Sequence, residues 1–240
     1  MSEKQLKTDY LVVGAGAVGM SFVDVMLAET DAEIVLLDSR AKPGGHWNDA
    51  YPFVTLHQPS QYYGVSSKEL SNGLRDQVGL NKGMAELASG AEVSAYFDHV
   101  LRQTFLPSGR VRWLPMSDWL GDGEIRNKLT GDITRVEATK TVDATWLKTS
   151  IPKRHTPGFS VDAGVQMIPL NDLPDVTTPP DGFTVIGGGK TGIDACLWLL
   201  EMGVWPGDIR WIMPRDGWML NRANTQPSMD FFDHMSHPGR

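Results

Sequence analysis

The spacing of apolar residues along the first forty positions predicts a strand, a helix and a second strand. A short apolar run at positions 10–13 is followed directly by glycines, and apolar residues then recur at helical spacing over positions 22–27. A second apolar run, Ile34–Leu37, ends at Asp38. Runs of this length without polar alternation are typical of parallel strands that are buried on both faces.

The same pattern returns near the end of the chain. An apolar run at 183–186 leads into glycines, an amphipathic helix follows, and another apolar run covers positions 209–213. Two copies of one supersecondary unit are therefore predicted, with weaker patterns between them.

The intervening sequence predicts mostly loops, with a few regular elements. Positions 41–90 are rich in glycine, proline and aromatic residues, which indicates long loops with short helices. A helix is predicted over 93–104, with Val93, Phe97, Val100 and Leu101 on one face, and strands at 111–116 and 141–145. A hairpin turn is predicted at 130–132, and frequent prolines mark a domain crossing between about 147 and 180.

The first glycine cluster fits a dinucleotide-binding turn. Gly14, Gly16 and Gly19 form the pattern G-x-G-x-x-G between the predicted strand and helix, and Asp38 ends the next strand. The first glycine permits a tight turn, the second admits a pyrophosphate close to the backbone, and the third lets helix and strand pack together. Free amides at the helix start, including those of Ala17 and Val18, attract a phosphate.

Asp38 at the end of the second strand bears on which nucleotide binds. A carboxylate there can accept hydrogen bonds from ribose hydroxyls, and it repels a 2'-phosphate. The first site therefore suits FAD or NAD rather than NADP.

The second glycine cluster resembles two different phosphate-binding loops, and one glycine position separates them. A Walker A loop ending in Gly189-Lys190-Thr191 requires a glycine at position 184, where the chain has Thr184 inside an apolar run. Gly187, Gly189 and Gly192 instead fit G-x-G-x-x-G. A second dinucleotide site is therefore predicted, with Lys190 and Thr191 near the pyrophosphate.

Arg215 stands close to the end of the strand that follows this second loop, where Asp38 stands in the first unit. A guanidinium there pairs with a 2'-phosphate through forked, charge-assisted hydrogen bonds, which favours NADPH over NADH. The alternative is that Arg215 is an ordinary surface cation.

A family resemblance appears directly after the second strand. Gly44-Gly45-His46-Trp47 is similar to the G-G-x-W segment with which flavin-containing monooxygenases and their Baeyer-Villiger relatives hold FAD. Within that resemblance, the positions matching the flavin site are Asp38, Arg40, Gly45, Trp47, Tyr51 and Pro52. Ser39 is a further candidate for cofactor binding, and His57 and Gln58 follow closely enough to reach the isoalloxazine edge. The resemblance implies FAD in the first unit and oxygenation of a small organic substrate through a flavin C4a-peroxide.

These observations together predict an α/β fold of two Rossmann-like dinucleotide-binding units. The predicted domains are an FAD-binding unit over 1–150, a proline-rich crossing segment over 151–180, and a partial NAD(P)-binding unit over 181–240. One strand-helix-strand unit buries too little of its own sheet, so we expect either a missing C-terminal portion or a partner chain, such as a second copy of the protein.

Composition narrows the classes of partner. The 240 residues carry a formal charge of −7, which argues against nucleic acid and anionic membranes and favours a small-molecule substrate. The first ten residues hold no apolar core of signal-peptide length, and no apolar run approaches the roughly 20 residues that span a bilayer, so a cytoplasmic location is expected. Cys196 is the single cysteine, so no disulfide or Cys-x-x-Cys pair forms within the chain. It belongs to a predicted apolar helical face, Ile193, Cys196, Leu197 and Leu200, which indicates a small buried side chain. The pairs Asp230/His234 and Asp233/His237 are interpreted as a solvated tail, so no metal site is predicted.

The reaction is predicted only in part from the sequence. The monooxygenase fingerprint F-x-G-x-x-x-H is absent from these 240 residues, and no residue is identified as a catalytic acid or base. The principal hypothesis is an FAD-dependent oxidoreductase that accepts hydride from NAD(P)H and is monooxygenase-like. The alternatives are a flavin-dependent NAD(P)H oxidase or reductase, a non-catalytic or truncated FAD/NAD(P)-binding protein, and a dehydrogenase that uses NAD alone.

Overall fold

The computed structural model describes residues 4–146, 158–215 and 217–227. The chain divides into two compact units, one comprising 1–49 and 56–149, the other comprising 50–55 and 150–240. The short segment 50–55 therefore belongs with the second unit, although it lies in the sequence between two parts of the first. Nothing in the local sequence pattern indicated this.

The first unit is built on a six-stranded sheet with the order β5-β2-β1-β8-β7-β6. Strands β5, β2, β1 and β8 run parallel to one another, and β7 and β6 continue the sheet in antiparallel fashion. The strands are β1 (Lys4–Val13), β2 (Ile34–Leu37), β3 (Gly64–Val65), β4 (Lys68–Glu69), β5 (Val111–Leu114), β6 (Ser117–Gly121), β7 (Glu124–Asn127) and β8 (Ile133–Asp143), with β3 and β4 forming a separate small hairpin.

Strand β1 contains the predicted run at 10–13 and is longer than predicted. Its second half pairs with β2 on one side and β8 on the other, and Leu11, Val12 and Val13 are buried. Its first half pairs only with β8, and there buried Leu6 and Thr8 alternate with exposed residues. The alternation is typical of a strand with one solvent-facing side, so the apolar run marks only the doubly covered half.

The predicted turn at 130–132 is confirmed as the connection between β7 and β8. The side chain of Asn127 accepts hydrogen bonds from the amides of Leu129 and Thr130, and Gly131 takes a left-handed conformation with φ +75°. Positions 141–143 of the predicted run at 141–145 form the end of the continuous strand β8 rather than a separate element.

Helices α1 (Ala17–Glu29) and α2 (Gly90–Val100) pack beside the sheet of the first unit. The predicted face of α2 is confirmed, because Val93, Phe97 and Val100 are fully buried. The helix continues through a wide turn of π type, Leu101–Phe105. Short 3-10 turns occupy Gly45–Asp49, Ser60–Tyr62 and Leu106–Ser108 in this unit. The region 41–90 is mainly loops with short helices, as predicted, but it also contains the β3–β4 hairpin, which was not predicted.

The second unit contains a parallel pair of strands and one helix among its described residues. These are β9 (Phe183–Ile186), α3 (Lys190–Glu201) and β10 (Ile209–Ile212), with 3-10 turns at Leu170–Asp175, Pro206–Asp208 and Arg222–Thr225. The predicted apolar face of α3 is wrong in part: Ala195 and Leu199 are buried, whereas Leu200 is 43% exposed.

The described residues contain no helix that is both long and apolar enough to cross a membrane. The paired tail residues Asp230/His234 and Asp233/His237 lie outside the described residues.

The start of α2 offers a direct test of the fold. Ser89 and Glu92 form a reciprocal capping box, in which each side chain accepts from the other residue's backbone amide. Replacing Ser89 with alanine leaves the helix-start amide without its acceptor, so we expect Ser89→Ala to lower the free energy of unfolding by about 1 kcal/mol in urea titrations. Ser94→Ala, inside the same helix, is the control and should change it by less than about 0.5 kcal/mol. Equal losses in the two variants would contradict a capping role.

Candidate nucleotide-binding sites

The first predicted glycine turn has the geometry of a phosphate-binding turn. Gly14 has φ +98°, which favours glycine, and a Cβ added to Gly19 would lie 1.9 Å from the carbonyl oxygen of Gly14. Strand and helix therefore approach so closely here that no side chain fits between them. Helix α1 begins after Gly16 without a side-chain cap, which leaves the amides of Ala17 and Val18 at its start for another acceptor.

Asp38 holds this turn in place from the end of β2. Its Oδ2 accepts from the amide of Ala15 at 2.8 Å, and its Oδ1 accepts from the amide of Arg40 at 2.8 Å. Asp38 is only 4% exposed. The sequence predicted a ribose acceptor at this position; the observed bonds give Asp38 a structural role, and its contact with a ribose stays a prediction.

The segment that resembles the flavin motif lies directly against the glycine turn. Gly44 donates its amide to the carbonyl of Ala15 at 2.8 Å, and a Cβ added to Gly45 would lie 2.9 Å from the Cα of Gly16. Gly44 and Gly45 both have positive φ. The side-chain amide of Asn48 donates through Nδ2 to the carbonyls of Pro43 and Gly45. The structure thus brings Gly16 and Gly45 into close backbone contact, with Gly14 and Gly45 buried and Gly16 partly exposed.

The side chains of Arg40 and Trp47 hold the flavin-like segment in place. The guanidinium of Arg40 pairs with Asp49, with Nε and Nη2 each 2.7 Å from Oδ2. Trp47 donates its indole N–H to the hydroxyl of Tyr63 at 2.7 Å, and the pKa of Tyr63 is raised by burial, so this hydroxyl stays protonated. Trp47 is therefore part of a hydrogen-bonded aromatic pair, and its ring is held in one orientation.

Ser39, His57 and Gln58 are the remaining predicted residues of the first site. Ser39 accepts at its carbonyl oxygen from the Lys128 ammonium at 3.0 Å. His57 is exposed and Gln58 is half-buried, so their predicted contacts with a flavin edge stay predictions.

The second predicted glycine turn repeats the geometry of the first. Gly187 has φ +126°, and a Cβ added to Gly192 would lie 2.3 Å from the carbonyl oxygen of Gly187. That same carbonyl accepts from the Trp211 indole on β10 at 2.8 Å. Helix α3 begins after Gly189 without a side-chain cap, and a Cβ built on Gly189 would meet open space.

Two polar side chains of α3 form a cluster with Tyr51 that sequence reasoning missed. Tyr51 donates its hydroxyl to the carboxylate of Asp194 at 2.6 Å, and the Lys190 ammonium contacts the same carboxylate. Lys190 also donates to the carbonyl oxygen of Thr55 at 2.8 Å. The i,i+4 spacing of Lys190 and Asp194 on a helix was the only local signal for this cluster. Lys190 is therefore bound within the second unit rather than being a solvated residue at the start of the helix.

Tyr51 itself was assigned by resemblance to the flavin motif, yet it packs in the second unit. Burial first, and then the hydrogen bond to Asp194, raise the pKa of Tyr51 far above its usual value, while a hydrogen bond with Thr191 opposes the shift. Beside it, Phe53 stacks on Trp198 of α3, with ring centroids 4.8 Å apart. Residues 50–55 are thus anchored on α3 by both polar and aromatic contacts.

The last two predicted features are Arg215 and Cys196. Arg215 is exposed beyond the end of β10, and its carbonyl oxygen lies 2.5 Å from the position a Cβ on Gly188 would take. Cys196 is half-buried, and burial raises the pKa of its thiol, which favours the unreactive protonated form. Within the described ranges, no group of three or more His, Cys, Asp and Glu side chains is arranged to hold a metal.

Solved structures with this architecture define the class of fold. The chain is similar to a flavin-containing monooxygenase from Stenotrophomonas maltophilia, with 20% identity and a TM-score of 0.58 over 90% of this chain and 60% of that one. It is also similar to the open crystal structure of cyclohexanone monooxygenase, with 22% identity and a TM-score of 0.53 over 82% of this chain and 38% of that one. A bacillithiol disulfide reductase from Staphylococcus aureus is similar as well, with 13% identity and a TM-score of 0.55 over 97% of this chain and 65% of that one. The chain therefore has the fold of the N-terminal portion of the FAD- and NAD(P)-dependent oxidoreductases, as the sequence predicted.

Curated relatives exist in mycobacteria. The chain is 48% identical over 228 residues to the uncharacterized proteins Rv2000 of Mycobacterium tuberculosis and Mb2023 of Mycobacterium bovis. The match covers 95% of this chain and 42% of each relative, so the chain spans less than half the length of the proteins it matches. No protein-family model matches the chain.

The close approach at Gly19 gives a testable expectation for the first turn. Gly19→Ala places a methyl group against the backbone oxygen of Gly14, which cannot move without displacing β1. We expect the free energy of unfolding to fall by about 3 kcal/mol in denaturant titrations. Gly158→Ala, where an added Cβ meets nothing within 4 Å, is the matched control and should change it by less than about 0.5 kcal/mol. Similar midpoints for both variants would show that the turn is looser than described.

Proposed function

We propose that the first unit binds FAD at the turn formed by Gly14, Gly16 and Gly19 together with the Gly44–Trp47 segment. The observation that carries the proposal is the contact of two glycine segments, at Gly16 and Gly45, beside an uncapped helix start. Backbone amides without side chains let a pyrophosphate approach closely, and the helix start carries a partial positive charge. Arg40, Trp47 and Asn48 would hold the second segment in its bound shape.

The second unit is proposed to bind NADP(H) at Gly187, Gly189 and Gly192. As in the first turn, the first glycine has a positive φ, and the first and third glycines are in close contact. Thr191 and the amides at the start of α3 would face the pyrophosphate, and Arg215 would pair with the 2'-phosphate. NADPH is therefore proposed as the preferred nicotinamide nucleotide.

The proposed activity is an FAD-dependent oxidoreductase that accepts hydride from NADPH and is monooxygenase-like toward a small organic substrate. Bound FAD would supply the two-electron chemistry, and the residues of this chain would bind and orient the two nucleotides. The fold shared with a flavin-containing monooxygenase and with cyclohexanone monooxygenase supports this proposal.

A flavin-dependent NAD(P)H oxidase or reductase is the second candidate. The observation in its favour is that the F-x-G-x-x-x-H fingerprint is missing from the 240 residues, and a disulfide reductase shares the fold. Because Cys196 is the single cysteine of the chain, a dithiol mechanism within it is excluded. Oxygen consumption that yields hydrogen peroxide in full, without oxygenated product, would favour this candidate.

The absorbance spectrum of the purified protein tests flavin binding. We expect the visible bands of an oxidised flavin, retained after desalting, and an increase in thermal stability when FAD is added. Gly45→Val should abolish both effects, because the side chain would be forced against Gly16. A colourless protein that FAD neither binds nor stabilises would refute the proposed function.

Arg215 tests the choice of nicotinamide nucleotide. If its guanidinium pairs with the 2'-phosphate, Arg215→Ala should weaken NADPH binding about tenfold and leave NADH binding unchanged. Anaerobic bleaching of the flavin by each nucleotide gives the measurement. Arg210→Ala removes the same charge from an exposed position on β10 and is the control. Equal effects of both variants on both nucleotides would contradict the NADPH assignment.

A further inference from the structure

The polar cluster around Tyr51 is tighter than a surface ion pair. We call Tyr51, Lys190 and Asp194 the Tyr51 clasp. The Tyr51 hydroxyl donates to Asp194 at 2.6 Å, the Lys190 ammonium contacts the same carboxylate oxygen, and Lys190 lies 3.3 Å from the Tyr51 hydroxyl. The side chains of Lys190 and Asp194 are 33% and 18% exposed, so water screens this pair less than an exposed one.

The clasp directs Lys190 toward the protein. A lysine beside a dinucleotide turn is expected to approach phosphate, yet here its ammonium is bound to Asp194 and to the carbonyl oxygen of Thr55. Because the Tyr51 hydroxyl stays protonated, it is a constant donor to Asp194 across the physiological pH range. Lys190 therefore acts through Asp194 and residues 50–55, as a positioning residue at the start of α3.

The clasp is connected to the flavin turn by a very short piece of chain. Asp49, the last residue of the 3-10 turn Gly45–Asp49, is fixed by its pair with Arg40. Only Ala50 separates Asp49 from Tyr51, and consecutive Cα atoms are about 3.8 Å apart. The Cα atoms of Asp49 and Tyr51 can therefore lie no more than about 7.6 Å apart. A movement of either residue beyond the slack in this short link is passed on to the other.

We propose that the Tyr51 clasp links the occupancy of the two nucleotide sites, so that FAD bound at the Gly44–Trp47 segment strengthens binding of NADP+ at the start of α3. The inference rests on the proposed function and adds a regulatory property to it. The flavin would add its own contacts to the turn that ends at Asp49, and the clasp would carry that added restraint to Lys190 and the first turn of α3. Linkage is reciprocal, so NADP+ must strengthen FAD binding by the same factor.

The test is the dissociation constant of NADP+, measured by titration calorimetry on the flavin-free and the FAD-loaded protein. For the wild-type chain we expect at least a fivefold tighter value with FAD bound, at the lower end of usual coupling factors. Tyr51→Phe should bring the ratio close to one while both nucleotides still bind, because the donor to Asp194 is lost and the ring is kept. Tyr10→Phe, which removes a hydroxyl from β1, is the matched control and should keep the wild-type ratio.

Two further variants separate the possible outcomes. Asp194→Asn keeps the shape of the side chain and removes its charge, so it tests the clasp even if Tyr51→Phe fails to fold; a wild-type ratio in this variant overturns the proposal. Lys190→Met should also reduce the ratio, whereas equal weakening of NADP+ in both forms would show that Lys190 contacts the nucleotide directly and would overturn the clasp. A ratio of one in the wild-type chain refutes the linkage but leaves the proposed function intact. If neither nucleotide binds, the proposed function itself fails.

Discussion

The backbone of Ala15 is held on both sides, and the rest of the first unit is arranged around it. Its amide donates to the buried carboxylate of Asp38 and its carbonyl accepts from Gly44, so one residue connects the end of β2, the glycine turn and the flavin-like segment. With those two bonds in place, Gly16 and Gly45 approach so closely that only backbone fits between them. The amides of Ala17 and Val18 follow directly at the uncapped start of α1, and such amides are suited to binding a pyrophosphate.

The parts of the fold that the sequence predicted are those decided by local geometry. Glycines at the first and third positions of each turn are required because helix and strand touch there, as the contacts of Gly19 with Gly14 and of Gly192 with Gly187 show. The face of α2 was predictable for a similar reason, since one side of the helix is buried along its whole length. The central strands were recognisable because both of their faces are covered.

The parts that escaped prediction depend on contacts between distant segments. Tyr51 stands next to a motif that resembles a flavin site, and only the folded chain shows its hydroxyl on Asp194. The structural role of Asp38 was hidden for the same reason. A carboxylate at this strand end could accept from a ribose or from the Ala15 amide, and the sequence alone does not distinguish the two. In α3 the apolar pattern pointed to Leu200, but the second unit buries Leu199 and leaves Leu200 exposed.

The pairing of β1 with β8 also has a consequence for how the protein is made. Lys4 lies beside Thr134 and Val13 beside Asp143, so every pair between β1 and β8 joins residues about 130 positions apart. A ribosome must complete nearly the whole first unit before β1 meets this neighbour, and closing so long a loop carries an entropic cost. Until then the backbone N–H and C=O groups along this edge of β1 stay open to pairing with other strands, which exposes the nascent chain to misassembly.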